Sequence, residues 1–228
     1  MKDLDLAKKI VGMKVIKDCS KKLIWLSQEK CIEKALKRFN MDKAKLVSVP
    51  LPEHFKLSTM QCPTNEEEKK EMSRVPYSSV VGILMYAMIC TRPDIAHAVG
   101  VVSQFLSHSG EEHWNAVKWI LRYLRGTTER CSCFGNEDPM LVGYTNVDMV
   151  GDADSRKSTS GCLTTFAGGV VSWQSKLQRC VALSTTEVEY SVASEAGKEV
   201  KYMKNLLHEL GHVQERHVLH VTTKVQST

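Results

Sequence analysis

Cysteine, histidine and lysine side chains supply much of a protein's chemistry, and their spacing here narrows what the chain can do. Eight cysteines, at positions 19, 31, 62, 90, 131, 133, 162 and 180, form no CxxC pair and no Cys/His spacing that would wrap zinc. Reduced, buried thiols are expected instead. His97, His108 and His113 span two helical patterns and a turn, which suits surface histidines better than a metal cluster. The basic residues are more suggestive. Residues 1–50 hold thirteen Lys/Arg against six Asp/Glu, and Lys30, Lys34, Lys37 and Arg38 fall within one short stretch. Each phosphate neutralised by such a cation releases a condensed counterion, so the cluster suits contact with a polyanion. On charge alone, the same pattern equally describes a solvated helix face in a mildly basic protein.

The elements that position these residues can be read from periodicity. VGMKVI and KLIWL, within residues 10–26, are β-like runs separated by the polar KDCSKK, which predicts a hairpin. Ser27 is the expected N-cap of a following helix, whose apolar face is Ile32, Ala35, Leu36 and Phe39 at i, i+3, i+4 and i+7. The four basic residues lie largely off that face. Residues 46–76, with Pro50, Pro52, Pro63 and the run NEEEKKE, read as an extended connector with at most one short exposed helix. Three helical patterns follow, at about 77–90, 93–107 and 111–125. Pro93 holds the first position of the second, and the third is expected to bury Trp114, Val117, Leu121 and Leu124 before Gly126 ends it.

Residues 127–139 read as a linker, after which the period changes. LVGYTNVD, GCLTTFAG and GVVSWQS are β-type runs; Ser184-Thr185-Thr186-Glu187 is a capping box opening a helix to about Leu210, and HVLHV at 217–221 is one more strand. The expected fold class is therefore α+β (mixed α/β), with a β-β-β-α-β unit over residues 139–228 preceded by a mainly helical region over 1–138. Trp114, Trp119 and Trp173 are expected in cores.

A chain of 228 residues with 43% hydrophobic and 25% charged residues has the composition of an ordinary globular protein, with room for one large domain or two small ones. Its formal charge is +5. The opening MKDLDLAKKIVGMK is charged throughout, and the longest apolar run, Val80 to Cys90, is shorter than a membrane span. An intracellular protein, cytoplasmic or nuclear, is expected.

Longer stretches carry a family resemblance. VPYSSVVGILMYAMICTRPDIAHAVGVVSQFLSHSGEEHWNAVKWILRYLRGT resembles the region joining polymerase and nuclease in copia-type retrotransposon Pol proteins. GYTNVDMVGDADSRKSTSGCLTTFAGGVVSWQSKLQRCVALSTTEVEYSVASEAGKEV resembles the ribonuclease H domain of that family, and KKLIWLSQEKCIEKALKRFNM resembles the thumb-like end of its reverse transcriptase. The resemblance implies a ribonuclease H-like fold in the second unit and a thumb/connection region in the first. It also implies a nuclease that cuts the RNA strand of an RNA–DNA hybrid with two Mg²⁺ ions, which only clustered carboxylates can neutralise.

Departures from the family pattern fall on the acids. The family's Y-S-D-A-D strand motif reads Tyr144-Thr145-Asn146-Val147-Asp148, so the first carboxylate position is Asn146. The helix motif S-T-E-A-E-Y reads Thr185-Thr186-Glu187-Val188-Glu189-Tyr190 and retains Glu189. The third motif, aligned on His220-Val221-Thr222-Thr223, puts Thr222 where Asp is expected, and the fourth acid falls beyond Thr228. Asn146 and Asp148 share a strand face, with Asp152 and Asp154 in the following loop, so Asp148 with Glu189 is the remaining candidate for catalysis and for a weak single-metal site. The paired-aspartate signature of a polymerase, Y-x-D-D, is absent.

These readings lead to an inactive remnant that contacts RNA–DNA hybrid or duplex nucleic acid through Lys30, Lys34, Lys37, Arg38, Arg156, Lys157, Lys176 and Arg179, with the remainder of a reverse transcriptase as a further expected partner. Mg²⁺ is its cofactor only if a residual ribonuclease H activity survives. With the later part of the nuclease fold missing, residues 139–228 are expected to be marginally stable. A third reading rests on Arg122-Tyr123-Leu124-Arg125, which fits the R-x-L-R pattern of secreted oomycete effectors but falls inside a predicted helix.

Overall fold

A computed structural model describes residues 7–148, 151–152, 154–214 and 216–222. It divides into two compact units, Met1–Cys133 and Phe134–Thr228.

In the first unit, the expected hairpin is present as β2 (Met13–Asp18) and β3 (Leu23–Ser27), paired antiparallel from Lys14↔Ser27 to Asp18↔Leu23. A short β1 (Lys9–Ile10) precedes them. Val11 and Gly12 connect β1 to β2 with φ of 46° and 74°, the doubly left-handed geometry that matches strand twist in two-residue hairpins. β4 (Cys131–Phe134) completes the sheet beside β3. That strand lies inside the stretch read as linker, because four residues, CSCF, are too few to display a period.

Helix α1 (Glu29–Arg38) follows β3 and buries Ile32, Ala35 and Leu36 as their spacing predicts. Its N-cap is Gln28, one residue later than expected, yet Ser27 still accepts a hydrogen bond from the Glu29 amide at 3.3 Å. The connector carries one 3-10 turn, Thr59–Gln61, and the exposed α2 (Glu66–Met72), capped by Asn65. Val80, Val81 and Leu84 of α3 (Tyr77–Thr91) pack with Ile95, Val99 and Val102, and with Val117, Ile120 and Leu121 of α5 (Glu111–Gly126), into one core. The predicted helix from Pro93 is instead a 3-10 turn, Pro93–Ile95, running into α4 (Ala96–Ser103).

Two residues of α5 differ from expectation. Trp114 is only half-buried, whereas His113 beside it is fully buried. The His113 ring stacks on Phe105 at 3.9 Å, accepts from the Gly110 amide at Nδ1 (2.8 Å) and meets the Ser58 carbonyl at Nε2 (3.2 Å). Arg92 is likewise buried, donating to both carboxylate oxygens of Asp94 (2.9 and 2.8 Å) and to the Thr127 hydroxyl (2.6 Å) and carbonyl (3.1 Å).

In the second unit, β5 (Leu141–Asp148), β6 (Thr159–Phe166) and β7 (Gly169–Leu177) form an antiparallel meander. The chain then crosses through α6 (Thr185–Glu209) to β8 (His217–Val221), which pairs parallel to β5, giving the sheet order β7-β6-β5-β8. A parallel neighbour requires such a crossover, and the helix supplies it. Ser184 caps α6 by accepting from the Glu187 amide (3.2 Å), while the Glu187 carboxylate accepts from the Leu183 amide (2.9 Å). Val188, Val192, Ala196 and Val200, four residues apart, are the buried stripe of α6. They lie on the sheet face that carries Leu141, Gly143 and Thr145 of β5. At Gly143 the approach is so close that a Cβ would stand 2.8 Å from both Val200 and Leu219. The architecture is mixed α and β, as the sequence predicts.

Candidate functional site

Alternation along β5 decides where its polar residues point. Leu141, Gly143 and Thr145 are buried toward α6, so Tyr144, Asn146 and Asp148 occupy the opposite, exposed face. Asn146 and Asp148 therefore do share a face, and it is not the one that α6 covers. The Asn146 amide oxygen is already engaged, accepting from the Val147 amide at 2.9 Å. Asp148 lies beside Gly151, whose added Cβ would be 3.1 Å from its carboxylate. Thr222 follows β8 immediately after the Thr145↔Val221 pair and is exposed.

Glu189 sits in the first turns of α6, half-buried, one residue past the buried Val188. The α6 carboxylates with partners on the sheet are others. Glu199 accepts from the Ser172 hydroxyl of β7 at 2.7 Å, and Glu195 pairs with Lys176 of β7 at 3.3 Å. Burial, followed by the neighbouring Glu199 charge, raises the pKa of the Cys162 thiol on the same sheet face. Sequence reasoning missed Glu195 and Glu199, although their i, i+4 spacing flanking Ala196 was the available signal. Asp152 forms a local turn, accepting from the Ser155 amide at 2.8 Å and from its hydroxyl. Among the described residues, no group of three or more His, Cys, Asp or Glu could hold a metal ion.

The basic residues are arranged differently. Lys30, Lys34, Lys37 and Arg38 are all exposed on α1. At 100° and 1.5 Å per residue they fall within an arc of roughly 100° along about 12 Å of helix. The burial of Ile32, Ala35 and Leu36 on the other side holds that stripe outward. In the second unit Arg156 and Arg179 are exposed and Lys157 is half-buried, while Lys176 is exposed and partly committed to Glu195.

Arg122-Tyr123-Leu124-Arg125 is part of α5. Leu124 is buried, Arg122 donates to the Lys45 carbonyl at 2.7 Å, and Arg125 donates to the carbonyls of Asp42 (2.6 Å) and Ala44. Both arginines fasten the segment that follows α1 to α5. No single helix among the described residues is long and apolar enough to cross a membrane.

Comparison with known proteins places this arrangement. The chain is 62% identical over 220 residues to the retrovirus-related Pol polyprotein from transposon TNT 1-94 of Nicotiana tabacum, covering 96% of this chain and 17% of that protein. It is 37% identical over 187 residues to the corresponding polyprotein of transposon RE1 of Arabidopsis thaliana, covering 82% of this chain and 12% of that one. It is also 50% identical over 137 residues to secreted RxLR effector protein 161 of Plasmopara viticola, covering 58% of this chain and 94% of that protein. No family model and no solved structure matches. The chain thus spans about a sixth or less of the polyproteins it resembles, and within that span it belongs to the copia-type retrotransposon Pol polyprotein family.

Proposed function

We propose that the second unit is a ribonuclease H-like domain without a working metal site, and that the chain holds RNA–DNA hybrid or other duplex nucleic acid without cutting it. The strand order, with a three-stranded meander and a parallel fourth strand reached through α6, supports the ribonuclease H-like reading. The observation that carries the loss of activity is the separation on β5. Asn146 and Asp148 face away from the helix that bears Glu189, and the first of them has no charge.

Two divalent ions about 3.5–4 Å apart need several carboxylates converging on one point. The residues present do not fit that requirement, so no cleavage step runs through them. Binding asks for less. A stripe of four exposed cations on α1 gives a polyanion a continuous contact, and Arg156, Lys157, Lys176 and Arg179 offer another in the second unit.

The place of Arg122-Tyr123-Leu124-Arg125 inside α5 argues against an RxLR-effector reading. A short linear signal must be readable as a free segment, whereas here its leucine is in the core and its arginines are bonded to the carbonyls of Asp42, Ala44 and Lys45. A gel-shift experiment with labelled RNA–DNA hybrid and Mn²⁺ tests the proposal. The hybrid is expected to shift and its RNA strand to stay intact; cutting that disappears with Glu189→Gln would overturn it.

A further inference from the structure

Away from the basic surfaces, the first unit has a groove of about 520 Å³ between the 3-10 turn with α2 on one side and the start of α5 on the other. Its apolar lining includes Met60, Met72 and Trp114, and Glu68, Glu71 and Glu112 stand on its polar side. Met60, an apolar side chain that lines the groove, is 90% exposed to water.

The groove is held in shape from behind. A Cβ on Gly110 would stand 2.0 Å from the Gln61 carbonyl oxygen, so the two walls touch through backbone that only glycine permits. Buried His113 ties Gly110 to Ser58, and the Cys62 thiol donates to the His108 carbonyl at 3.0 Å. Glu68 belongs to the cap of α2, accepting from the Thr64 amide at 3.0 Å. No ion pair among the described residues involves Glu71 or Glu112, and both are exposed.

Concavity, an apolar lining and four acids, Glu68, Glu71, Glu111 and Glu112, with no Lys or Arg among the lining residues, are found together at this groove. From this charge complementarity we infer that the groove docks a protein partner through a segment in which Lys or Arg alternates with aliphatic residues. The aliphatic side chains would cover Met60 and Met72, and the cation would lie between Glu71 and Glu112, near the Trp114 ring. Nucleic acid is not the occupant, since the same carboxylates repel phosphate. This site is separate from the basic stripe of α1, and its failure would leave the proposed function untouched.

The probe is a fluorescein-labelled octapeptide of alternating Lys and Leu, titrated with the full chain at low salt and followed by anisotropy, beside a Glu–Leu octapeptide. Saturable binding of the Lys–Leu peptide alone is expected, weakened roughly three- to ten-fold by Glu71→Gln with Glu112→Gln, two exposed acids whose loss leaves the core intact. Met60→Ser, at a side chain outside the core, should weaken it as well. Equal binding of both peptides, no binding, or the same affinity in the double glutamine variant and in Met60→Ser would overturn the proposal.

Discussion

If α1 grips duplex nucleic acid, its charge stripe sets a salt dependence that can be worked out beforehand. Four exposed cations, Lys30, Lys34, Lys37 and Arg38, share one arc of the helix. Each phosphate contact contributes about −0.9 to the slope of log K against log salt, so the stripe alone gives a slope of about −3.6. Raising monovalent salt from about 50 to about 200 mM should then weaken binding roughly 150-fold through this stripe. Replacing Lys34 and Lys37 by Gln removes two contacts and should make the slope shallower by about 1.8, whatever other surface of the protein touches the duplex. Both side chains point away from the core, so thermal stability should change little. Fluorescence anisotropy with a labelled 20-base-pair duplex, repeated at four salt concentrations, reads the slope. A slope unchanged in the double variant would refute the assignment of α1 as a contact surface and leave its lysines as solvating charge.

Other expectations concern stability. Burial opposes ionisation of Asp94, but hydrogen bonds and charge from Arg92, with help from Tyr123 and Arg130, outweigh it and hold the carboxyl below its ordinary value of 3.8. A depressed folded pKa adds stability that is present above the unfolded value and is lost as pH falls through the folded one, so the first unit should weaken below about pH 4. Asp94→Asn should flatten that acid loss in a denaturant series and, by leaving buried Arg92 uncompensated, cost about 3 kcal/mol at neutral pH. Tyr77→Phe removes the donor of the buried 2.7 Å bond to the Val102 carbonyl and should cost roughly 1–2 kcal/mol in urea unfolding, while an unchanged midpoint would mean water replaces it. Gly143→Val would drive a branched side chain into Val200 and Leu219 and should destabilise the second unit by about 1–3 kcal/mol, read from its melting temperature.

Much of the second unit was legible because its periods are clean. Val188, Val192, Ala196 and Val200 form an uninterrupted i, i+4 stripe, and Ser184 marks the start of α6 unambiguously. The alternation that puts Asn146 and Asp148 on one face was readable too. Which face α6 would cover was not, because Tyr144 is as apolar as its buried neighbours and Gly143 shows no hydrophobic signature. Only the close packing of Val200 on Gly143 settles the side. In the first unit, His113, read as a surface histidine, is buried instead, because stacking on Phe105 and its bond from the Gly110 amide satisfy it, and a two-pronged bond to Asp94 satisfies the buried Arg92. Trp114, expected in the core, is left half-buried along the groove. These are long-range partnerships that no local spacing announces.

On the proposed reading, β5 and α6 do not assemble a site for divalent ions. Electron paramagnetic resonance of Mn²⁺ titrated into the purified chain, with Glu189→Gln alongside, measures this directly. The same weak, non-stoichiometric uptake is expected in both proteins. Two tightly held ions per chain, released when Glu189 is replaced, would contradict it.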